Sequence, residues 1–209
     1  MKAVIFDKDG VLIDSEKIHL DALRYAFKKM GLKIKDSELG PFIGKIPKDY
    51  ADYFEKTFNA SFEEYISYEG EKYFELLKHV KILPAAMKLI KSLKKKGHKL
   101  AITTSAAKDI TLDLLKRSRA EGLFDVVVTN NHCKERKPHP EPYLITAKKL
   151  GVKPSECIVI EDSVVGLESA KRAGMKCIVA YNDATKNQDF SSADYVVDSL
   201  SKVKDEWFD

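Results

Sequence analysis

The chain has 209 residues, of which 44% are hydrophobic and 33% are charged, a composition typical of a soluble globular protein with a substantial core. The formal net charge of +4 is small and the basic residues are scattered, so we expect no nucleic-acid partner, and three cysteines without CxxC spacing indicate neither a disulfide framework nor a zinc site. No apolar run approaches the roughly 20 residues of a membrane helix and the start lacks a signal-peptide layout, so the sequence predicts a cytoplasmic protein with no membrane partner. We also expect a monomer or weak dimer.

The first predicted element is a short strand, Ala3 to Phe6, which is followed by two carboxylates. Residues i and i+2 of an extended chain lie on the same side, so Asp7 and Asp9 can project into the same space. Two carboxylates this close repel each other unless a cation lies between them or one is protonated. A hard divalent ion such as Mg²⁺ suits oxygen ligands, whereas the alternative is a solvated turn in which Gly10 merely reverses the chain.

Residues 15–83 show helical patterns and no convincing strand. Apolar residues recur at helical spacing between Ile18 and Met30, and further helical stretches cover about 48–58 and 61–78. Pro84 then stands where it can open the next helix at its first turn. The sequence therefore predicts an all-helical insert after the first strand.

Beyond the insert, short β-branched runs alternate with helical patterns. The runs are Lys99–Thr103, Asp125–Val128, Cys157–Ile160, Lys176–Ala180 and, shorter, Tyr195–Val197. This alternation is typical of a parallel sheet with crossover helices, and near-continuous apolar strands indicate burial on both faces. The predicted fold is therefore α/β, a Rossmann-like doubly wound parallel sheet interrupted by an all-helical insertion.

Polar side chains follow several of these strands at the point where each strand ends. In an open parallel sheet, ligands bind outside the carboxyl ends of the strands. Thr104 and Ser105 follow the second apolar run, Lys137 lies in the polar loop after the third, and Glu161 and Asp162 follow the fourth. Taken singly, Ser105 fits a helix cap, Lys137 fits a solvated lysine, and the acidic pair fits a cap of the next helix. Their convergence with the first carboxylate pair favours a functional site.

These motifs, in this order and spacing, resemble the four motifs of the haloacid dehalogenase-like (HAD) phosphohydrolase superfamily. They are Asp7-Lys-Asp-Gly-Val, Thr104, Lys137-Pro-His-Pro and Glu161-Asp-Ser-Val-Val-Gly-Leu. The resemblance covers nearly the whole chain. The insert looks like the small helical cap of the β-phosphoglucomutase-like branch, and Asp14-Ser-Glu-x-x-His19 is similar to that branch as well. The resemblance implies a core domain formed by 1–14 and 84–209, with a cap domain at 15–83.

The resemblance also implies a role for each motif residue. Asp7 would be the nucleophile that forms a phosphoaspartyl intermediate, and Asp9 would act as general acid and then as general base. Mg²⁺ would be held by the carboxylates of Asp7 and Asp162 and by the backbone carbonyl of Asp9, with Glu161 a less certain ligand. The transferring phosphoryl oxygens would be bound by Thr104, Ser105 and Lys137. Because the second aspartate of the first motif is absent in haloacid dehalogenases proper, its presence favours phosphate-ester chemistry.

Substrate choice in this branch is set by the cap, where the candidate substrate-binding residues are His19, Lys45 and Lys48. Segment 44–49 departs from the Gly-x-Ser-Arg pattern of β-phosphoglucomutases, because Pro47 stands where an arginine would grip a second phosphate. A nearby lysine lacks the bidentate fork of arginine. We therefore predict a Mg²⁺-dependent phosphatase of a small phosphorylated metabolite, with a sugar phosphomutase as the alternative. A non-catalytic phosphometabolite-binding protein is the third possibility.

Overall fold

Strands and helices alternate along most of the chain in the computed structural model, which describes residues 1–43 and 47–209. Lys45, a predicted substrate-binding residue, lies outside the described residues. The described residues form six strands: Ala3–Phe6 (β1), Lys99–Thr103 (β2), Val126–Val128 (β3), Cys157–Glu161 (β4), Lys176–Ala180 (β5) and Tyr195–Val197 (β6). They also form seven α-helices: Ser15–Lys29 (α1), Ala51–Phe58 (α2), Phe62–Leu77 (α3), Pro84–Lys95 (α4), Lys108–Arg117 (α5), Glu141–Leu150 (α6) and Val164–Arg172 (α7).

The chain divides into two compact units, and each is described by itself. The sheet unit comprises Met1–Ile13 and Lys81–Asp209, and the helical unit comprises Asp14–Val80. That these units act as a core domain and a cap domain stays a prediction.

The sheet unit contains one six-stranded sheet in the order β3-β2-β1-β4-β5-β6, with every neighbouring pair parallel. The chain winds outward from β1 through β2 to β3, then returns to the centre and winds the other way from β4 to β6. The predicted doubly wound α/β fold is therefore confirmed. The order reverses between β1 and β4, and in such sheets the crevice at the carboxyl ends of these strands is where ligands bind.

Burial on both faces explains why the central strands are apolar throughout. All residues of β1 and β4 are buried. In one core cluster, Ile5 and Val159 pack with Tyr143 of α6 and Leu167 of α7. Since helices cover the sheet, each inward side chain removes apolar surface from water, at about 25 cal/mol per Å² of apolar area. The central strands thereby fix the backbone from which the site residues project.

The helical unit has an aromatic core. Phe27 of α1 meets Phe42, Phe54, Phe58 and Tyr65 edge to face, with ring centroids 4.8–5.8 Å apart. The described residues of this unit contain no strand, as the sequence predicts. Among residues 1–43 and 47–209, no helix combines the length and apolar character needed to cross a membrane.

Candidate active site

Asp7 lies directly after β1, at the position where the strand order reverses. Its backbone N–H donates to the carbonyl of Ile160 in β4 at 2.9 Å, so the central ladder continues to this residue. Its side chain is buried, and Oδ1 accepts a hydrogen bond from Lys137 Nζ at 2.6 Å. The carboxylate is thus held at the centre of the sheet edge with one oxygen bound to an ammonium.

Lys137, from the loop between β3 and α6, connects the ends of three strands. Its Nζ donates to Asp7 at 2.6 Å, to Glu161 Oε1 at 2.6 Å and to the carbonyl of Thr103 at 3.2 Å. Only 8% of its side chain is exposed, which excludes the alternative of a solvated lysine. Burial lowers the pKa of Lys137, but the two carboxylates outweigh burial and leave the pKa raised. The residue is therefore a permanent cation in the site.

Glu161, the last residue of β4, is held on both of its side-chain oxygens. Oε1 accepts from Lys137 and from the hydroxyl of Tyr143, each at 2.6 Å. Oε2 accepts from the next backbone N–H at 3.2 Å and from Ser163 Oγ at 3.3 Å. A Cβ at Gly166 would overlap this carboxylate. Because its oxygens are already bonded, Glu161 suits holding Lys137 in place better than direct metal ligation.

Asp162 is oriented by the loop that follows β5. Asn182 Nδ2 donates to Asp162 Oδ2 at 2.8 Å, while Asn182 Oδ1 accepts from the backbone N–H groups of Ala184 and Thr185 at 2.9 and 3.2 Å. The cap of α7 is Ser163, whose Oγ accepts from the N–H three residues later at 3.2 Å. The acidic pair is therefore not the helix cap that the sequence left open.

Three carboxylates converge at this edge of the sheet. Asp7, Glu161 and Asp162 each offer an oxygen within 4.8 Å of the others. Burial and the neighbouring carboxylates raise the pKa of Asp7 to about 7 and the pKa of Asp162 to about 8, despite the opposing charge of Lys137. One ammonium does not balance three carboxylates, and a hard divalent cation bound to Asp7 and Asp162 would supply the missing positive charge. The donor set therefore fits a divalent metal.

Gly10 makes room for the Asp162 carboxylate, because a Cβ at Gly10 would overlap Asp162 Oδ2. We predict that Gly10→Ala lowers both the free energy of unfolding and the affinity for Mg²⁺. Gly174 is the matched control, since its φ of 75° equals the 74° of Gly10 within a degree and its Cβ would meet nothing within 4 Å. Gly174→Ala should show only the backbone strain, about 1–2 kcal/mol, with unchanged Mg²⁺ affinity. Urea unfolding and isothermal titration calorimetry measure both quantities, and equal effects of the two changes would contradict the steric argument.

The predicted phosphate-binding hydroxyls differ in their surroundings. Thr104 is buried directly after β2, and its Oγ1 accepts from the N–H of Ala106 at 3.1 Å. Ser105 is exposed, and the hydrogen bonds around the three carboxylates do not involve its side chain. The cap of α5 is Ala107, so Ser105 does not serve as the helix cap either. The structure thus places Thr104 buried at the strand end and Ser105 exposed beside it. The phosphate-binding roles of both residues stay predictions.

The helical unit holds two of the predicted substrate-binding residues. His19 of α1 pairs with Glu69 of α3 through Nδ1 and Oε1 at 3.0 Å, and their side chains are 17% and 10% exposed. Burial lowers the pKa of His19, but the hydrogen bond and the charge of Glu69 outweigh burial and leave the pKa raised. Lys48 is exposed. His19 is therefore set up to carry a positive charge inside this unit.

We expect Glu69→Gln to lower the pKa of His19, because the amide removes the negative charge that favours the imidazolium. Because the pKa of His19 is raised in the folded state, protonation of His19 stabilises the fold. This contribution is complete at pH values below the pKa of an unfolded histidine, about 6.5. It is lost as the pH rises through the pKa of the folded state. The variant should therefore lose more stability at acidic than at alkaline pH. NMR titration of the His19 ring and urea unfolding on both sides of neutrality measure this. Glu71→Gln, at an exposed position of the same helix, is the control. An unchanged titration in Glu69→Gln would refute the coupling.

Sequence reasoning missed three residues that hold the site together. Tyr143 belongs to a helix and is a core residue by its pattern, yet its hydroxyl binds Glu161. Asn182 lies in a polar loop and donates to Asp162. No sequence pattern distinguishes a loop asparagine that makes such a bond from one that is solvated. Lys8 lies between the two motif aspartates and donates to Asp9 Oδ1 at 2.7 Å. The lysine between the two motif aspartates is the one sequence signal that could have indicated such a contact.

Comparisons with known proteins identify relatives of this chain. The model of the haloacid dehalogenase-like hydrolase family matches residues 4–180. The chain is 33% identical over 184 residues to the Phosphorylated carbohydrates phosphatase of Thermotoga maritima, covering 85% of this chain and 84% of the relative. It is 31% identical over 183 residues to the Phosphoglycolate phosphatase of Aquifex aeolicus, covering 86% and 84%. The crystal structure of beta-Phosphoglucomutase from Clostridium difficile superposes with a TM-score of 0.71 at 27% identity, covering 99% of this chain and 95% of that one.

The family match spans β1 to β5, and therefore includes every strand end that contributes to the carboxylate and lysine network. The relatives are matched over most of their own length, so the similarity extends well beyond short motifs. The chain accordingly belongs to the haloacid dehalogenase-like hydrolase family, in its β-phosphoglucomutase-like branch.

Proposed function

We propose that this hydrolase is a Mg²⁺-dependent phosphatase that releases phosphate from a small phosphorylated metabolite through a phosphoaspartyl intermediate on Asp7. The observation that carries the proposal is the buried Asp7 carboxylate, bonded to Lys137 at 2.6 Å and grouped with Glu161 and Asp162. A nucleophile, a cation for the phosphoryl oxygens and an oxygen-rich metal site thus share one edge of the sheet. This combination suits transfer of a phosphoryl group to a carboxylate.

The metal would be held by the carboxylates of Asp7 and Asp162 and the backbone carbonyl of Asp9, where it supplies positive charge for the phosphoryl oxygens. Asp7 attacks phosphorus with the oxygen that is not bonded to Lys137. The Lys137 ammonium and the Thr104 hydroxyl bind the phosphoryl oxygens as negative charge builds up on them. Asp9 protonates the leaving oxygen, then removes a proton from the water that hydrolyses the acyl phosphate.

Asp9 differs from the other carboxylates in a way that suits proton transfer. Its side chain is 40% exposed, whereas the side chain of Asp7 is 11% exposed. It does not belong to the group of three carboxylates that could hold the metal. A carboxylate outside the metal site and open to solvent is free to exchange protons with a leaving group and with water.

The relatives support a phosphatase over a mutase. Two of them are named as phosphatases, one of phosphorylated carbohydrates and one of phosphoglycolate, so phosphate-ester hydrolysis recurs in this branch with different small substrates. The similarity to a solved β-phosphoglucomutase keeps the mutase as the alternative. The departure at Pro47 from the mutase pattern argues against it, because a mutase must hold a bisphosphorylated intermediate in both orientations.

A substrate panel tests the proposal. We expect Mg²⁺-loaded protein to release phosphate from at least one of the sugar phosphates, nucleotides, phosphoglycolate and glycerol phosphates, and EDTA to abolish the release. A separate assay supplies sugar 1-phosphate with a bisphosphate activator. Formation of the 6-phosphate faster than phosphate release would establish the mutase instead. No release from any ester, together with tight binding of one of them, would favour the non-catalytic protein.

A further inference from the structure

Lys8 is a buried lysine inside the first motif, between Asp7 and Asp9. Only 2% of its side chain is exposed. A lysine is almost never buried to this degree unless a charge or hydrogen-bond acceptor meets it, because removing an ammonium from water is costly. The acceptor that the described residues provide is Asp9 Oδ1, at 2.7 Å from Nζ.

The backbone around this pair is fixed. The strand ends at Phe6, and beyond it the N–H groups of Leu12 and Ile13 both donate to the carbonyl of Lys8, at 2.8 and 3.1 Å. The N–H of Gly10 donates to the carbonyl of Ile13 at 2.9 Å. This tight loop fixes the position of the Lys8 backbone. The Lys8 ammonium therefore donates to Asp9 from a side chain whose attachment point does not move.

The Asp9 carboxylate is bonded to Lys8 and lies outside the group of three carboxylates. Asp7, Glu161 and Asp162 place oxygens within 4.8 Å of one another, and Asp9 is not part of that group. A divalent cation bound there would attract a further carboxylate from an adjacent residue of the same loop. Lys8 opposes this attraction, because a charge-assisted bond at 2.7 Å holds one oxygen of Asp9.

We propose that Lys8 is a positioning residue for Asp9: its ammonium keeps the Asp9 carboxylate away from Asp7 and Asp162, which would hold the metal, so that Asp9 stays in position for proton transfer. The inference rests on the proposed function for the role of Asp9. An Asp9 carboxylate drawn into the metal site would no longer be in position to reach the leaving oxygen. Lys8 thus keeps the carboxylate that transfers protons, Asp9, apart from the carboxylates that would bind the metal, Asp7 and Asp162.

Lys8→Met is the informative change, since methionine keeps an unbranched apolar side chain of similar length. The fold should tolerate it, because the Asp9 carboxylate left behind is 40% exposed and is hydrated by solvent. We expect Mg²⁺ to bind about 10-fold more tightly, as one more carboxylate joins the site. We also expect kcat/KM to fall about 10-fold for an alkyl phosphate and to change little for p-nitrophenyl phosphate, whose leaving group needs no proton.

A double-mutant cycle with Asp9→Asn separates positioning from general electrostatics. Calorimetry with Mg²⁺ alone and kcat/KM on both esters are measured for the wild type, each single variant and the double variant. If Lys8 acts through Asp9, the gain in Mg²⁺ affinity and the selective loss on the alkyl ester disappear in the Asp9→Asn background. If the gain persists there, or if Lys8→Met slows both esters equally, the inference is overturned.

Lys99→Met is the control for loss of one lysine from the sheet unit, since Lys99 is exposed and binds the carbonyl of Leu150. It should leave both readouts unchanged. Failure of the proposed function is recognised separately: if Asp9→Asn itself slows both esters equally, the proton-transfer role of Asp9 is wrong. The Mg²⁺ titrations need no turnover and still decide in that case whether Lys8 holds Asp9 away from the metal.

Discussion

Replacing Lys137 by methionine is expected to damage both the stability and the activity of this protein. The side chains of Asp7 and Glu161 are 11% and 1% exposed, and Lys137 is the cation that both of them bind at 2.6 Å. Breaking a buried ion pair by removing one partner costs about 3–5 kcal/mol, because a buried charge is left uncompensated. We expect a loss of this size in the free energy of unfolding, measured with urea at neutral pH in the absence of metal.

Added Mg²⁺ should recover part of this loss. A divalent cation balances the same carboxylates, so the stabilisation by Mg²⁺ should be larger in Lys137→Met than in the wild type. The activity should not recover, because the metal does not replace the ammonium on the phosphoryl oxygens, and we expect kcat/KM to stay at least about 100-fold below the wild type. The control is again Lys99→Met. Equal stability of the two variants without metal would show that the buried pair does not contribute as argued.

Asp7→Asn is expected to abolish turnover while leaving the fold intact. Asparagine has nearly the same shape, and Lys137 keeps its ion pair with Glu161 at 2.6 Å. The amide is no nucleophile, so kcat should fall by at least about 1,000-fold, the order seen when a covalent nucleophile is removed. The melting temperature should change far less than in Lys137→Met, since one of the repelling carboxylates has become neutral.

A chemical readout accompanies the rate. Acid quenching of the wild type during turnover, followed by intact-mass measurement, should reveal a fraction of protein carrying one phosphoryl group. Asp7→Asn should carry none. Asp205→Asn, at a surface carboxylate that is 59% exposed, serves as the matched control and should behave as the wild type. An undiminished phosphatase rate in Asp7→Asn would remove the proposed nucleophile and return attention to a binding role for this site.

The strands were predictable because burial on both faces selects an apolar, β-branched run with a visible end. Two strand bounds differ by one residue: Glu161, expected after the fourth strand, is the last residue of β4, and Asp125, predicted as part of a strand, lies just before β3. Its carboxylate accepts from the N–H of Leu100 at 2.8 Å and from Lys94 Nζ at 2.7 Å, so its side chain stabilises the start of the strand from outside. Such side-chain contacts have no periodicity and leave no trace in a pattern of apolar residues.

The gathering of Asp7, Lys137, Glu161 and Asp162 was predictable because parallel strands bring their carboxyl ends to one edge. The residues that orient them were not. Alternation along a strand predicts that Lys8 points away from Asp9, but the strand ends at Phe6 and the rule no longer applies. Contacts made beyond the end of a regular element depend on the path of the loop, which the sequence pattern does not specify.

The central place of β1 in the sheet has a consequence for how the chain is made. Its two neighbours, β2 and β4, begin at Lys99 and Cys157, so this fully apolar strand leaves the ribosome long before either partner exists. Until then its edges are open to pairing with other chains, the condition in which nascent proteins aggregate or recruit chaperones. Asp7 also meets Lys137 only after that lysine has been synthesised, and its second acidic neighbour only after Asp162. The growing chain therefore lacks the assembled group of carboxylates and Lys137 until most of it has been translated.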